Sequence, residues 1–407
     1  MNKFLRTAST RRLLGAITGL IVAIVAGTAI AIAAQGNGPV PKHKQLARAV
    51  RDALTAPKVQ GISADVSFTN RLINTSEIKG TDPLLSGGTG HLWLSNDGQV
   101  RLELYGDNGD PMVVITKTKW SVSDPTTNTV YQGTLPKGTT TAADKKSSKH
   151  ESLPTVAQIQ TELSKLMAHV NVSGAVPSDV AGQPTYTVTL SPKHDGGLLG
   201  SAELAWDAIH GVPLRAAVYA RGDTTPVLEL AATGVTYGPV ASSIFSVSPP
   251  TGSKVVKVST PSSSELTGKG KKAHTKHARV TGVKAVASHL PFALVAPGKL
   301  AGLPRQSTTL LEMSGHRAAL LTYGQSLGGI AVIEQASTGA GALSLNGSSA
   351  GAGKHGINLP TVVIGSATGQ ELDTALGTLV RFTRAGVTYT VVGSVTPYAA
   401  DTAARAL

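Results

Sequence analysis

The 407-residue sequence contains no cysteine. A disulfide framework, a zinc site built on thiolates and a cysteine nucleophile are therefore excluded, as is the acylated cysteine that anchors a bacterial lipoprotein. Aromatic residues are also scarce, at 4% of the chain, whereas glycine (45) and proline (22) are frequent. Apolar residues still make up 41% of the chain, which is enough for hydrophobic cores, and the length suits two domains with linkers.

Acidic residues are outnumbered, and the formal net charge is +13. This charge is unevenly placed. Four positive charges precede the first apolar run, and a net seven lie between Lys254 and Lys284, so about two remain for everything else. Because the regions expected to fold are nearly neutral, a nucleic-acid-binding face has little support, and we expect no nucleic-acid partner.

Residues 13–34 form a run of 22 residues without a charge, which spans ~33 Å as a helix. The basic tail, residues 1–12, precedes this run, so the positive-inside rule predicts a cytoplasmic amino terminus and export of residues 35–407. The sequence therefore predicts a single-pass transmembrane anchor at 13–34. A cleaved signal peptide is the alternative, because Ala31-Ile32-Ala33 resembles a cleavage site, although the run exceeds the usual apolar length of roughly 7–15 residues.

The segment after the anchor alternates between helical and strand patterns. Residues 42–56 place Leu46, Val50 and Leu54 four apart, which predicts an amphipathic helix. From about Val59 the apolar period becomes two, and successive strands are predicted with turn signals between them. A second helix is predicted over 154–171, with a capping box at its start, and strands resume after it until about residue 255.

This order favours an α+β fold in which a strongly curved antiparallel sheet, a half-barrel of about ten strands, covers the two helices. Residues 256–285 are rich in serine, threonine, glycine and lysine and are predicted to be a flexible basic linker. Residues 286–407 alternate again, with a turn at 384–386 and a terminal helix over 399–407. They predict a smaller α+β C-terminal domain.

The order helix, meander, helix, meander over residues 59–255 resembles the LolA/LolB-like superfamily of lipoprotein carriers, which includes the amino-terminal domain of RseB/MucB regulators. The hairpin WDAIHGVPLRAAVY is similar to the D-x-x-x-G-x-P-x-R pattern of that group at Asp207, Gly211, Pro213 and Arg215. The resemblance implies a LolA-like lipid-binding domain over 42–255. The smaller domain at 286–407 makes the whole arrangement RseB-like.

The resemblance also implies a hydrophobic cavity that binds the acyl chains of a lipid or lipoprotein. Burial contributes ~0.8 kcal/mol per methylene, so a chain of about 16 carbons offers on the order of 12 kcal/mol before costs. Alternating apolar residues on the strands, with the stripe of the second helix facing them, are the candidates for the cavity lining: Leu92, Leu94, Val100, Leu102, Leu104, Val113, Ile115, Leu163, Leu166 and Met167. An ordinary filled core is the alternative interpretation of each.

Catalytic and metal motifs are weak. Residues 324–328, GQSLG, match the G-x-S-x-G nucleophile elbow, but the segment after Ser326 alternates like a strand, so a hairpin turn is predicted instead. The eleven histidines lack metal-ligand spacing, and the loop with Asp107 and Asp110 lacks the terminal glutamate of a calcium loop. We expect no enzyme, no cofactor and no metal site.

These observations predict a membrane-anchored, extracytoplasmic protein of the bacterial cell envelope that carries, presents or senses a lipid or lipoprotein. A permanent anchor departs from the diffusible carriers of the superfamily and suits local extraction, presentation or sensing. The alternative is an RseB-like envelope-stress regulator that binds a membrane anti-sigma factor through the C-terminal domain.

Overall fold

The structure is a computed structural model, and it describes residues 38–72, 83–107, 109–125, 128–135, 155–258, 280–313, 316–337 and 360–407. The predicted basic tail, the predicted anchor at 13–34 and most of the predicted linker at 256–285 lie outside these ranges. Within the ranges, no helix combines the length and the apolar character needed to cross a membrane.

The first unit, residues 38–258, is built on one sheet of 13 strands that curls into a half-barrel. The strands are β1 (Gly61–Asn70), β2 (Gly88–Ser95), β3 (Val100–Leu104), β4 (Met112–Ile115), β5 (Lys119–Asp124), β6 (Thr129–Thr134), β7 (Val170–Val172), β8 (Val176–Val180), β9 (Gln183–Pro192), β10 (Leu199–Asp207), β11 (Pro213–Ala220), β12 (Leu228–Tyr237) and β13 (Lys254–Val258). Their order is β13-β6-β5-β4-β3-β2-β1-β12-β11-β10-β9-β7, with β8 also paired to β9. The predicted curved meander is confirmed. One pair departs from the antiparallel pattern, since β13 runs parallel to β6 at the sheet edge.

In the described part of this unit, three α-helices accompany the sheet: α1 (Leu46–Thr55), α2 (Pro83–Ser86) and α3 (Val156–Leu166). The alanine-rich side of α1 faces the sheet, where Ala49 packs with Tyr186 of β9 and Trp206 of β10. The predicted capping box starts α3, because the Gln158 amide donates to the Thr155 hydroxyl and the Thr155 amide donates to the Gln158 side chain. These two bonds satisfy amides that the first turn of a helix leaves unpaired.

The second predicted helix is shorter than expected. It ends at Leu166 rather than at Asn171, and Val170–Val172 form β7, which pairs with the last residues of β9. The apolar spacing continued past Leu166, but the β-branched residues Val170 and Val172 fit a strand better than a helix. The cross-strand ladder with β9 decides the outcome, which local periodicity does not reveal.

The second unit, residues 280–407, is built on an eight-stranded sheet in the order β14-β15-β16-β17-β21-β20-β19-β18. Its strands are β14 (Lys299–Leu300), β15 (Leu303–Met313), β16 (His316–Tyr323), β17 (Ile330–Ala336), β18 (Thr361–Ile364), β19 (Ala367–Thr374), β20 (Gly377–Arg384) and β21 (Val387–Gly393). Its helices are α4 (Val283–Ala287) and α5 (Pro397–Arg405), and a separate apolar core lies between helices and sheet. The predicted terminal helix and the turn at 384–386 are both present, with φ of 48° at Ala385 and 76° at Gly386.

Candidate functional site

The seven strand residues predicted to line a cavity share one face of the first sheet. Leu92 lies opposite Leu102 in the β2–β3 register, and Leu102 lies opposite Val113 in the β3–β4 register. We call this the helix-side face, because it continues across the sheet to the residues that contact α1. Five of the seven are at most 9% exposed and two are half-buried in one apolar cluster: Leu92, Leu94, Val100, Leu102, Leu104, Val113 and Ile115.

The three helix residues predicted to face those strands lie elsewhere. Leu163 is half-buried, Leu166 is 42% exposed and Met167 is 43% exposed, and none belongs to the strand cluster. The physical reason is that α1 already occupies the sheet at β9 and β10, and α3 packs against α1. The structure therefore separates the ten candidates into seven strand residues that share one apolar cluster and three helix residues outside it.

A second set of apolar side chains on the helix-side face is only partly covered. Val122 lies opposite Val113 in the β4–β5 register, and Tyr131 lies opposite Val122 in the β5–β6 register. Tyr131 is 39% exposed, and the other side chains of this set are half-buried. We call the set the apolar margin: Val113, Trp120, Val122, Tyr131 and Val256.

The ring of Trp120 lies flat over the backbone of Gly133 at this margin. A Cβ atom added to Gly133 would come within 2.5 Å of the indole, so glycine is required for this close approach. The segments of Trp120, Val122 and Tyr131 were predicted as strands, but these residues were not among the predicted lining residues. Val256 was predicted to begin the flexible linker, whereas it lies in β13, which pairs with β6. The same period-two alternation in KWSVSD and TVYQGT contains the signal.

The hairpin that resembles the superfamily pattern turns out to be held by its first residue. Asp207 is fully buried, and its carboxylate accepts hydrogen bonds from the backbone amides of Ile209 (2.6 Å) and His210 (3.0 Å), the His210 ring (2.9 Å) and the Tyr237 hydroxyl. Burial alone would raise the pKa of Asp207, but these hydrogen bonds lower it below its ordinary value. Burial and the neighbouring carboxylate raise the pKa of Tyr237.

Gly211 of the same pattern brings the hairpin onto α1. Its φ is 69°, and an added Cβ would lie 2.3 Å from the carbonyl oxygen of Ala53. Both the backbone conformation and the close approach favour glycine. Asp207 and Gly211 therefore shape and dock the hairpin, and they do not line the apolar margin.

Arg215, the last residue of the pattern, is buried on the opposite face of the sheet. Its guanidinium donates to Glu229 (2.8 Å), Glu203 (2.7 Å) and the Tyr219 hydroxyl (2.7 Å), and that hydroxyl donates to Glu203 (2.9 Å). Burial would lower the pKa of Arg215, but the hydrogen bond to Glu203 and the charge of Glu229 raise it above its ordinary value. This ion cluster joins β10, β11 and β12.

The G-x-S-x-G match at 324–328 forms a hairpin turn, as predicted. It connects β16 to β17, and Ser326 is exposed with φ of 63°. Strand β17 follows Ser326 directly, so the strand–turn–helix geometry of a nucleophile elbow is not formed at this turn. The turn instead contacts the first unit, since the Gly328 amide donates to the Asp195 carbonyl at 3.3 Å.

The described residues contain no group of three or more histidine or acidic side chains that could hold a metal ion. At the turn that slightly resembled a calcium loop, the Asp110 carboxylate accepts from the Gly106 amide at 3.1 Å. This hydrogen bond closes the loop between β3 and β4. The linker histidines, His274 and His277, lie outside the described residues.

No protein-family model matches the sequence, and no curated protein matches it. Solved structures similar to the chain include the MucA/MucB complex of Pseudomonas aeruginosa, with 17% identity over 88% of this chain and 94% of that chain and a TM-score of 0.39. A crystal structure of MucB in complex with MucA(peri) is 16% identical over 88% of this chain and 96% of that chain, with a TM-score of 0.39. An outer membrane lipoprotein-sorting protein domain from Vibrio parahaemolyticus is 10% identical over 49% of this chain and 95% of that chain, with a TM-score of 0.19. The chain is therefore similar in structure to MucB and to a lipoprotein-sorting domain.

Proposed function

We propose that the protein binds the acyl chains of a lipid or lipoprotein on the apolar margin, and that it does so outside the cytoplasm while anchored to the bacterial cell membrane. The observation that carries the proposal is the partly covered apolar surface around Tyr131, 39% exposed, beside a fully apolar core. Apolar surface that protein atoms leave uncovered on one sheet face is a common mark of a binding site.

The position of the margin suits an elongated apolar ligand. Trp120, Val122 and Tyr131 lie side by side on β5 and β6, and Val256 of β13 extends the row to the sheet edge. Helix α1 packs over β9 and β10, at the other end of the sheet order, and α3 packs against α1. An acyl chain laid along the margin would therefore complete the cover of the helix-side face without displacing a helix.

Binding of this kind needs no catalytic group. Each buried methylene contributes ~0.8 kcal/mol, and part of that is offset by the entropy of ordering the chain. The margin contains no charged side chain that would have to be desolvated. Charged residues of the neighbouring strands, such as Arg101 and Glu103, alternate onto the opposite face and pair there at 2.9 Å.

A charge placed on the margin is expected to abolish this binding. The Val122→Asp substitution puts a carboxylate where the chain would lie, and we expect the affinity for a fluorescent 16-carbon fatty acid to fall at least about tenfold, since burying an unpaired charge is costly. Displacement titration of the purified protein measures the change. The matched control is Ser121→Asp, one residue earlier on the opposite face, which should bind as the unaltered protein does.

Two results would reject the proposal. One is the absence of any saturable acyl-chain binding and of lipid in organic extracts of the purified protein. The other is equal loss of binding in both variants while circular dichroism shows both to be folded, because that would place the ligand elsewhere.

A second candidate function is an RseB-like regulator that binds an anti-sigma factor. Exposed apolar side chains on the second unit favour it, namely Val363 at 63% and Tyr398 at 83% exposure. We expect the double substitution Val363→Asp with Tyr398→Asp to reduce co-purification of a membrane anti-sigma factor at least about tenfold. The Ser67→Asp variant of the first unit serves as control, and equal recovery from all three proteins would exclude this candidate.

A further inference from the structure

Three polar side chains come together on the opposite face of β1 and β2, away from the apolar margin. Asp65 of β1 lies directly across from His91 of β2, and Ser63 lies two residues before Asp65 on the same face. The chain separation of Ser63 and His91 is 28 residues, so no local motif reveals their proximity.

In this group the serine donates a hydrogen bond to the histidine, and the histidine donates one to the aspartate. His91 Nδ1 lies 2.9 Å from an Asp65 carboxylate oxygen, and His91 Nε2 lies 2.7 Å from Ser63 Oγ. A carboxylate can only accept, so Nδ1 carries the proton in neutral imidazole, and Nε2 must then accept from the serine hydroxyl. This is the arrangement of a nucleophile, a base and an orienting group.

The surroundings fix the imidazole and keep the group reachable. The His91 side chain is 20% exposed, and its ring packs against Trp93 with 4.3 Å between centroids. The Asp65 side chain is 68% exposed. Gly234 of β12 makes room for it, since an added Cβ would lie 3.2 Å from a carboxylate oxygen. The base is thus held by packing, whereas the face in front of it is open to solvent.

We propose that Ser63 is an acylatable nucleophile and that this group cleaves small aryl carboxylic esters. Ser63 Oγ attacks the ester carbonyl carbon while His91 Nε2 takes the hydroxyl proton. The tetrahedral intermediate expels the aryloxide, which takes the proton from His91, and an acyl-serine remains. Water then attacks the acyl carbon through the same base, the carboxylic acid leaves, and the proton returns to Ser63 Oγ.

Two register partners of Ser63 flank the nucleophile. Trp93 lies across from it on β2, where the His91 ring and the Arg101 guanidinium already pack against the indole. Thr236 lies across from it on β12 and presents an exposed hydroxyl. That hydroxyl can donate to the developing oxyanion. Aryl esters are the expected class because an aryloxide is a good leaving group. Because the amides of β1 are engaged by the strands on both sides, a backbone oxyanion hole is not formed, and the reaction should be slow compared with that of dedicated esterases.

The full-length protein tests the proposal with a fluorophosphonate probe and with p-nitrophenyl acetate. We expect peptide mass spectrometry to place the phosphonate adduct on Ser63, and we expect Ser63→Ala to remove it. The His91→Gln variant keeps a polar side chain but no base and should label at least about 100-fold more slowly.

Matched serine variants separate this group from other hydroxyls. Ser67→Ala lies on the same strand and face as Ser63, and Ser326→Ala removes the serine of the G-x-S-x-G turn. Both should label and turn over ester as the unaltered protein does. The proposal is overturned by an adduct on another residue, by the absence of any adduct, or by unchanged labelling in His91→Gln. The first two results come from the unaltered protein and do not depend on the folding of any variant.

Discussion

The Arg215→Met substitution is expected to destabilise the first unit by about 3–5 kcal/mol, the cost typical of leaving a buried charge without its partner. Arg215 is 6% exposed and Glu229 is 5% exposed, so removal of the guanidinium leaves the Glu229 carboxylate inside the protein. Methionine fills a similar volume, so the fall in the free energy of unfolding is caused by removal of the positive charge and not by a cavity. Glu203 suffers less, because its side chain is 24% exposed and keeps the Tyr219 hydroxyl.

Urea unfolding followed by tryptophan fluorescence measures this loss, since all three tryptophans of the chain lie in the first unit. The double variant Arg215→Met with Glu229→Met should recover at least half of the lost stability, because it removes the buried Glu229 carboxylate as well as the guanidinium. Arg221→Met is the matched control. Arg221 pairs with Asp195 where both side chains are more than half exposed, so its loss should cost less than about 1 kcal/mol. A double variant as unstable as Arg215→Met would contradict this account.

The pattern of Asp207, Gly211 and Arg215 shows what a sequence resemblance can and cannot indicate. The spacing correctly identified a hairpin within a curved sheet. The structure shows that these residues secure the turn, the contact with α1 and the ion cluster across β10–β12. The contact with α1 and the ion cluster depend on partners 12 or more residues away, such as Ala53 and Glu203, which local spacing does not identify.

Period-two alternation predicted the strands well because each strand of this sheet has one apolar face. It could not predict which element covers that face. The stripe of Leu163, Leu166 and Met167 was expected to face β2–β4, but α3 packs against α1, and α1 lies over β9 and β10, where its alanines permit a close approach to the sheet. The parallel pairing of β13 with β6 was missed for a related reason, since a strand added at a sheet edge is specified by a distant partner.

The burial of Glu334 could also have been predicted from period-two alternation, but it was not among the predictions. In the strand GIAVIEQ Glu334 follows Ile330 and Val332 at spacings of two, which places it on their face. The structure confirms the consequence, because Glu334 is fully buried in the second unit. One carboxyl oxygen accepts from the Val295 amide at 3.0 Å, and burial raises the pKa of the carboxyl to about 7.

We expect ionisation of Glu334 to lower the stability of the second unit as pH rises from about 4.5 to 7. The folded pKa of Glu334 exceeds its ordinary value of 4.5, so the folded state binds the proton more tightly than the unfolded state. The stabilisation is complete below the unfolded pKa and is lost as pH rises through the folded pKa. The difference between the two pKa values corresponds to about 3 kcal/mol. Tyr323 and Tyr389, whose pKa values are raised by burial and by the Glu334 charge, stay neutral throughout this range.

Glu334→Gln isolates this effect, because glutamine cannot ionise and keeps an acceptor for the Val295 amide. The free energy of unfolding of this variant minus that of the unaltered protein should grow by about 3 kcal/mol between pH 4 and pH 8. Hydrogen exchange of amides in β17 and β21 measures it, and amides in β1–β3 of the first unit serve as an internal reference. Glu312→Gln is the matched control, since the Glu312 side chain is 69% exposed and its substitution should leave the pH dependence unchanged.

A constant difference between Glu334→Gln and the unaltered protein across this range would show that Glu334 is ionised in the fold at neutral pH. The carboxylate would then need a compensating partner, and Arg305, which interacts with the neighbouring Tyr323, would be the first residue to test.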